Sequence, residues 1–353
     1  MSSQLQGKFS SNLLDWFRIN GRKGLPWQLE RTPYRVWISE IMLQQTQVTT
    51  VIPYFERFID AFPDVQTLAN ADIDQVMQHW TGLGYYARAR NLHKTANILH
   101  HKYVNQFPDN LACIVALPGI GRSTAGAILS IAFEKREPIL DGNVKRVLTR
   151  YHEIAGWPGN KKIEDKLWRL ADSHTPYDNV AEYTQAIMDL GATLCKRSKP
   201  ECDLCPVRKT CLAFSNNTQT KYPERKPQKI LPIKNTVFAI IENKKGQLLL
   251  ENRPPTGIWG GLWCFPEFNH GINIDETIEH QLHTKCVQVN ELEEVKHTFS
   301  HFHLIIKPLH IKVDDDALYV KDKPNYQWLD KINIELSKGL PKPVLTLLNH
   351  FKH

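Results

Sequence analysis

What the chain lacks narrows its class first. No apolar run approaches the roughly 18 residues a helix needs to cross a bilayer. The opening MSSQLQGKFSSNLLDWF has no signal-peptide apolar core, so a soluble, cytoplasmic protein is expected. There is no internal repeat and no low-complexity tract, which removes solenoid and disordered-tail architectures. No dinucleotide or flavin fingerprint accompanies the cysteines, so redox catalysis on such a cofactor is not expected. Basic excess is nearly missing from the C-terminal part: residues 226–353 hold 16 Lys and Arg against 15 Asp and Glu, whereas residues 1–225 hold 28 against 22. A polyanionic partner is therefore expected on the N-terminal part.

At 353 residues the chain exceeds one typical domain and should divide into two or three. Apolar residues recur at helical spacing from about residue 9 to residue 215, in segments ended by Pro or Gly, so this part reads as all-helical. The prolines and charges of KYPERKPQKILPIK, 221–234, mark an interdomain linker. Beyond it the period changes. Thr236–Glu242 and Gln247–Glu251 read as strands joined by a turn at Asn243–Gly246. His297–Val313 reads as a strand or as two with a break at Pro308, and Pro343–Phe351 as a closing helix. A smaller α+β domain over 235–353 is the result.

The chain is organised around Ala116–Arg146. Pro118, Gly119 and Gly121 break one segment and open a helix near Ser123, leaving backbone N–H groups free to hold a phosphate. The helix carries small residues, Ala125, Gly126, Ala127 and Ser130, and ends before Pro138. Asp141 follows in a Gly/Asn turn, so a phosphate anchor and a carboxylate lie one short helix apart. A second carboxylate, Glu40, sits on a helix that starts at Thr32-Pro33, with Val36, Trp37 and Leu43 three or four residues away on the same face. Among such neighbours a carboxyl tends to keep its proton. The loop at 81–88, TGLGYYAR, sets exposed aromatics beside arginine, a composition suited to bases and phosphates.

Four of the seven cysteines, Cys195, Cys202, Cys205 and Cys211, form C-x6-C-x2-C-x5-C. Four thiolates at such spacing hold zinc or a [4Fe–4S] cube, and the presence of one C-x2-C pair rather than two favours iron–sulfur. Lys196, Arg197, Lys199, Arg208 and Lys209 lie within the span, available to offset an anionic cluster or reach a phosphate.

LPGIGRSTAGAI, 117–128, followed by ILDGNVKR, 139–146, and the four-cysteine pattern resembles the helix-hairpin-helix DNA glycosylases of the endonuclease III superfamily. Within it, SEIMLQQTQV at 39–48, WTGLGYYARARNLHK at 80–94 and HTFSHFHL at 297–304 look like the MutY-type adenine DNA glycosylases, which remove adenine mispaired with 8-oxoguanine. The resemblance covers nearly the whole chain. It implies a multidomain fold: an all-α helix-hairpin-helix glycosylase region with an iron–sulfur loop over 1–220, the linker, and an α+β Nudix-like domain over 235–353. It also implies a [4Fe–4S] cofactor, and a monofunctional enzyme acting as a monomer on duplex DNA with an A:8-oxoG or A:G mismatch, nucleoid-associated if bacterial.

Carried over residue by residue, the resemblance makes Glu40 the acid and Asp141 the second carboxylate, with Asn143, Tyr85 and Ser123 supporting them. Gln45 and Tyr85 match residues that wedge the helix, Ser300 matches the reader of 8-oxoguanine, and Pro118, Gly119, Gly121, Lys145, Lys196 and Arg197 are placed on DNA. Lyase relatives carry an amine where this chain has Ser123, which counts against the rival bifunctional pyrimidine glycosylase/lyase. A second rival, a non-enzymatic iron–sulfur DNA-binding protein, needs neither carboxylate. TGIWGGLWCFPEF, 256–268, resembles the Nudix fold, but Glu276 and Glu279 lack the adjoining acidic pair that holds Mg²⁺ in its hydrolases, so pyrophosphate cleavage is not expected.

Overall fold

The computed structural model describes residues 3–226, 230–314, 325–331, 334 and 338–351. Two compact units emerge: 1–70 with 91–228, and 71–90 with 229–353.

In the first unit, helix α1 spans Ser3–Asn20, α2 Pro33–Leu43 and α3 Val48–Ala61. The Thr32 hydroxyl caps α2 by accepting from the Arg35 N–H at 3.2 Å, and Pro33 opens the helix where a missing N–H costs nothing. Val36, Trp37, Ile38, Ile41 and Met42 are buried, so the apolar face read from the sequence is the one that packs. The helix meets α7, Arg122–Ala132, whose Ala125, Gly126 and Ala127 are buried. Gly126 is required there: a Cβ would lie 2.5 Å from the carbonyl oxygen of Pro138. The returning segment 138–140 can therefore run against the helix backbone.

Helix α8, Gly142–Tyr151, turns Val144, Val147 and Leu148 into a core shared with Phe9, Leu13 and Phe17 of α1, with Leu167 and Ala171 of α9 (Lys161–His174), and with Ile187 of α10 (Val180–Asp189). Each fully buried Val, Leu, Ile or Phe among them stabilises the unit by about 1.5–3 kcal/mol relative to exposure. That core fixes the start of α8, which is where Asp141 sits. A π-helical turn, Leu190–Leu194, follows α10 and leads into the cysteine loop.

Residues 71–90, which a division by chain order assigns to the helical part, pack instead with the C-terminal residues. Asp74, at the start of α4 (Ile73–Trp80), accepts from the Trp263 indole at 3.3 Å and from Lys338 at 3.0 Å, and the Tyr86 hydroxyl donates to the Leu340 carbonyl at 3.1 Å. These partners are more than 180 positions distant, out of reach of any local pattern. Among the described residues the second unit forms an eight-stranded mixed sheet: β1 Ile233–Glu242, β2 Gln247–Asn252, β3 Trp263–Cys264, β4 Glu267–Asn269, β5 Cys286–Glu291, β6 Val295–Thr298, β7 His303–Val313 and β8 Tyr326–Asp330. The main order is β3-β2-β1-β7-β5, with β1 and β7 parallel. Helix α11, Ile274–Leu282, covers one face through Ile278 and Leu282.

Residues 297–313 hold parts of two strands, as one of the two readings had it, but the break is not at Pro308. The chain reverses at 299–302 and β7 runs straight through the proline. On that edge β5 pairs with 309–313 and β6 with 303–306, so Pro308 falls in the gap between them, where no ladder N–H is needed. The linker is also partly docked: the Tyr222 carbonyl accepts from Arg150 and the Glu224 carboxylate from the Gly156 N–H, both at 2.8 Å. Residues 227–229 of the linker lie outside the described residues.

Candidate active site

Buried Leu117 and Ile120 anchor the hairpin before α7, leaving Gly119 and Gly121 exposed. Gly119 has φ +76°, and a Cβ there would approach that of Asn91 to 2.7 Å, so both the conformation and the space demand glycine. The Pro118 carbonyl accepts from the Thr95 hydroxyl at 2.9 Å, and Gly121 is the N-cap of α7. Two residues on, the Ser123 hydroxyl accepts from the Leu140 N–H at 2.9 Å and pins the returning segment beside the start of α7.

The next residue is Asp141, the N-cap of α8. Its carboxylate accepts from the Val144 N–H at 2.8 Å and from the Asn143 amide at 3.0 Å. Asn143 in turn accepts from Arg146 at 2.8 Å, and Arg146 reaches the carbonyls of Cys195 (2.7 Å) and Gly191 (2.6 Å). Burial raises the Asp141 pKa, opposed by the N–H donors, the Asn143 side chain and the charge of Arg146.

Glu40 keeps some solvent access but is surrounded by protein, and burial followed by the like charge of Asp141 pushes its pKa up to about 8. Raised that far, Glu40 holds its proton at neutral pH. The two side chains, a hundred positions apart, share one electrostatic environment. Asp141 does not line the small cavity into which Glu40 opens. The cavity walls are Trp27, Gln28, Arg31, Val36, Ser39, Ile131, Ala181 and Gln185. Sequence reasoning missed Trp27, Gln28, Arg31 and Gln185. The first three stand in GRKGLPWQLER, whose turn composition carried no chemical signal, and Gln185 falls in an ordinary helical pattern.

The other candidates are more dispersed. Lys145 pairs with Glu164 at 2.7 Å. Gln45 is exposed in the first unit and Tyr85 is exposed in the second; both take left-handed backbone, φ 59° and 49°, a conformation that costs a non-glycine residue about 1 kcal/mol or more. Arg88 lies over the Tyr85 ring, 5.6 Å from its centre. Ser300 is exposed at the β6–β7 turn beside the rings of Phe299 and His301. Lys196 pairs with Glu201, and Arg197 is exposed while its carbonyl accepts from Arg150. Glu276 and Glu279 are exposed on α11.

Cys195, Cys202, Cys205 and Cys211 line one cavity whose remaining walls include Val147, Leu190, Leu194, Val207 and Phe214. Arg150 donates to the Cys195 sulfur at 3.3 Å and to the Lys196 carbonyl at 2.7 Å, so α8 holds the loop from behind. Four thiols lining one cavity are a donor set that suits an iron–sulfur cluster.

Residues 38–173 match the HhH-GPD superfamily of base excision DNA repair proteins, and residues 236–350 match the NUDIX domain. The chain is 42% identical over 344 residues to an adenine DNA glycosylase of Buchnera aphidicola subsp. Schizaphis graminum, covering 98% of this chain and 99% of that one. It is 44% identical to the adenine DNA glycosylase of Buchnera aphidicola subsp. Acyrthosiphon pisum, covering 98% and 97%. A thermostable thymine-DNA glycosylase aligns with TM-score 0.54 and 25% identity, covering 60% of this chain and 98% of that one.

Proposed function

The chain belongs to the adenine DNA glycosylase family, and on that premise we propose that Glu40 and Asp141 cleave the N-glycosidic bond of an adenine extruded from duplex DNA opposite 8-oxoguanine or guanine. One observation supports this above the rest: Glu40 holds its proton at neutral pH and stands close enough to Asp141, on a separate helical element, for the Asp141 charge to help raise its pKa. Adenine is a poor leaving group and its departure leaves a cationic sugar. Protonation of N7 by Glu40 addresses the first difficulty, and the Asp141 carboxylate addresses the second by stabilising positive charge at C1′. As water adds to C1′, the deprotonated Glu40 takes its proton, so the acid is regenerated.

Ser123 offers no amine, and Lys145 is engaged by Glu164, which supports a monofunctional hydrolase over a lyase. Borohydride is expected to trap little covalent complex, and efficient trapping would restore the lyase reading. The 118–121 hairpin, Lys145, Lys196 and Arg197 would grip phosphates, Gln45 and Tyr85 would fill space left by the flipped nucleotide, and Ser300 would read the opposing base. Cys195, Cys202, Cys205 and Cys211 would hold a [4Fe–4S] cluster. Bound there, it supplies a rigid anionic clasp for the loop bearing Lys196 and Arg197.

The test is release of free base from duplexes carrying one adenine opposite 8-oxoguanine, guanine, thymine or cytosine, with a visible absorption spectrum on the same sample. Release confined to the first two supports the proposal, and none from any duplex rejects it. Ser300→Ala is expected to narrow the preference for 8-oxoguanine over guanine several-fold without slowing release opposite guanine. Equal discrimination in the variant would move that role elsewhere.

Gly191, in the π-helical turn, offers a test at a distance from the carboxylates. A Cβ there would lie 2.6 Å from that of Asn143, whose amide holds Asp141. Gly191→Ala is expected to destabilise the protein by about 1–3 kcal/mol through overpacking. It should also slow adenine release at least ten-fold in single-turnover assays below the melting range. A variant that melts early yet reacts at the normal rate would separate Asn143 from the chemistry.

A further inference from the structure

Trp259 is buried, yet it sits in a loop, residues 257–261, and holds left-handed backbone at φ 52°. For so bulky a side chain that conformation is an outlier that only a surrounding structure maintains. Here it is maintained from both sides. Gly260 lies against the Pro255 carbonyl oxygen, to which a Cβ would come within 2.6 Å, and the Arg90 guanidinium donates to the Gly260 carbonyl. The Gly261 N–H donates to the Arg253 carbonyl at 3.1 Å, and the Trp259 carbonyl accepts from the Leu262 N–H at 3.0 Å. The strained backbone delivers the indole between the sheet core and an exposed turn. Its ring centre stands 6.1 Å from that of Phe238 of β1, and 5.2 and 5.4 Å from those of Phe299 and His297 at the β6–β7 turn. Phe299 closes that turn by donating its N–H to the Phe302 carbonyl at 2.9 Å, and exposed Ser300 is the next residue.

We infer that Trp259 is a positioning residue for the base opposite the adenine: through Phe299 it braces the 299–302 turn against the sheet core and holds Ser300 where it reads 8-oxoguanine. This role rests on the reading of Ser300 given above. An exposed turn tip is mobile unless something stiffens it. The Ser300 hydroxyl lies 3.4 Å from Nδ1 of its own neighbour His301, which moves with the turn and cannot fix it. The stiffness comes from rings. Phe299 lies 4.7 Å from both His297 and Phe302, centre to centre, and Trp259 ties that group to Phe238, all at spacings suited to tilted or edge-on contact. A turn held in one arrangement presents Ser300 with no ordering cost at the moment of binding. A loose turn is competent only part of the time, and affinity for 8-oxoguanine falls by that fraction. Guanine lacks the group by which Ser300 tells the two bases apart, so a loose turn penalises the 8-oxoguanine duplex more.

The experiment measures single-turnover adenine release opposite 8-oxoguanine and opposite guanine, with full-length holoenzyme at subsaturating concentration, and takes the ratio of the two rates. Trp259→Leu keeps an apolar side chain and loses the ring. It is expected to lower the ratio by about two- to ten-fold, the scale of one aromatic pair, and by no more than Ser300→Ala does. Trp259→Phe keeps a ring against Phe299 and should hold the ratio near the wild-type value. The decisive arm is the double variant: with Ser300→Ala in place nothing remains to be positioned, so adding Trp259→Leu should leave the ratio unchanged. Effects that multiply, or a Trp259→Leu enzyme that slows release opposite both bases alike, overturn the inference and leave Trp259 a core residue only. If Trp259→Leu does not fold, Phe299→Leu decides, because it removes the same ring contact from the side of the turn; an unchanged ratio refutes the brace. Wild type that releases no adenine defeats the glycosylase reading itself, and a ratio indifferent to Ser300→Ala defeats the Ser300 assignment and the brace with it. A ratio that falls in Ser300→Ala but not in Trp259→Leu defeats the brace alone.

Discussion

Replacing Glu40 by Gln is expected to slow single-turnover adenine release by about 10³-fold, the middle of the range that general-acid catalysis supplies, while mismatched duplex is still bound. The amide keeps the shape of the side chain and removes the proton that Glu40 holds at neutral pH. The pH profile sharpens the test. With Glu40 raised to about 8, the wild-type rate should be level near neutrality and fall as pH rises through that value, because the ionised side chain has nothing to donate. The residual rate of Glu40→Gln should lack that limb. Stability follows the same group: the unfolded chain releases this proton near 4.5 and the folded chain near 8, so wild-type stability declines as pH rises across that window. Glu40→Gln removes this contribution and should melt with a flatter pH dependence. A variant that keeps substantial excision, or the alkaline limb, places the acid elsewhere.

Asp141→Asn is expected to lower the rate by about 10²–10³-fold, the scale on which losing one preorganised charge stabiliser is felt. Its value as a test lies in what it leaves intact. Asn is as good an N-cap as Asp, so the bond from the Val144 N–H survives and α8 should keep its stability. Asp141→Ala loses the cap as well, at a cost of about 1 kcal/mol in thermal or urea unfolding. The two variants should therefore be similarly inactive and differently stable. A further consequence concerns Glu40: since the Asp141 charge is the second cause of its raised pKa, the alkaline limb of the remaining Asp141→Asn activity should move to lower pH. An Asp141→Asn enzyme of near-normal rate would remove this carboxylate from the reaction.

Much of this site was legible because its determinants are local. Thr32-Pro33 starts α2, the spacing of Val36, Trp37 and Ile41 orients it, and Glu40 is then committed to an apolar neighbourhood. Gly119, Gly121 and Pro138 punctuate the hairpin and helix, and Asp141 has the chemistry of a cap before Gly142. The cysteine spacing likewise declared four thiols for one cavity. Local pattern failed where a partner lay far away. Residues 71–90 look like any helical stretch until Lys338 and Leu340 claim them, and whether a strand passes through Pro308 stays open until the gap between β5 and β6 makes its missing N–H harmless.

The sequence by itself determined which groups the protein owns: an acid on an apolar helix face, a carboxylate at a helix start, a glycine hairpin opening a helix and a four-thiol loop. Each follows from residues within a few turns of one another. Only the tertiary structure decided how those groups ionise and what surrounds them. The raised pKa of Glu40 depends on Asp141 lying near enough to oppose its charge, and the buried Asp189 is held by Arg22 from 167 positions away. Electrostatic coupling and hydrogen-bond polarity act through space, over distances that chain position does not encode.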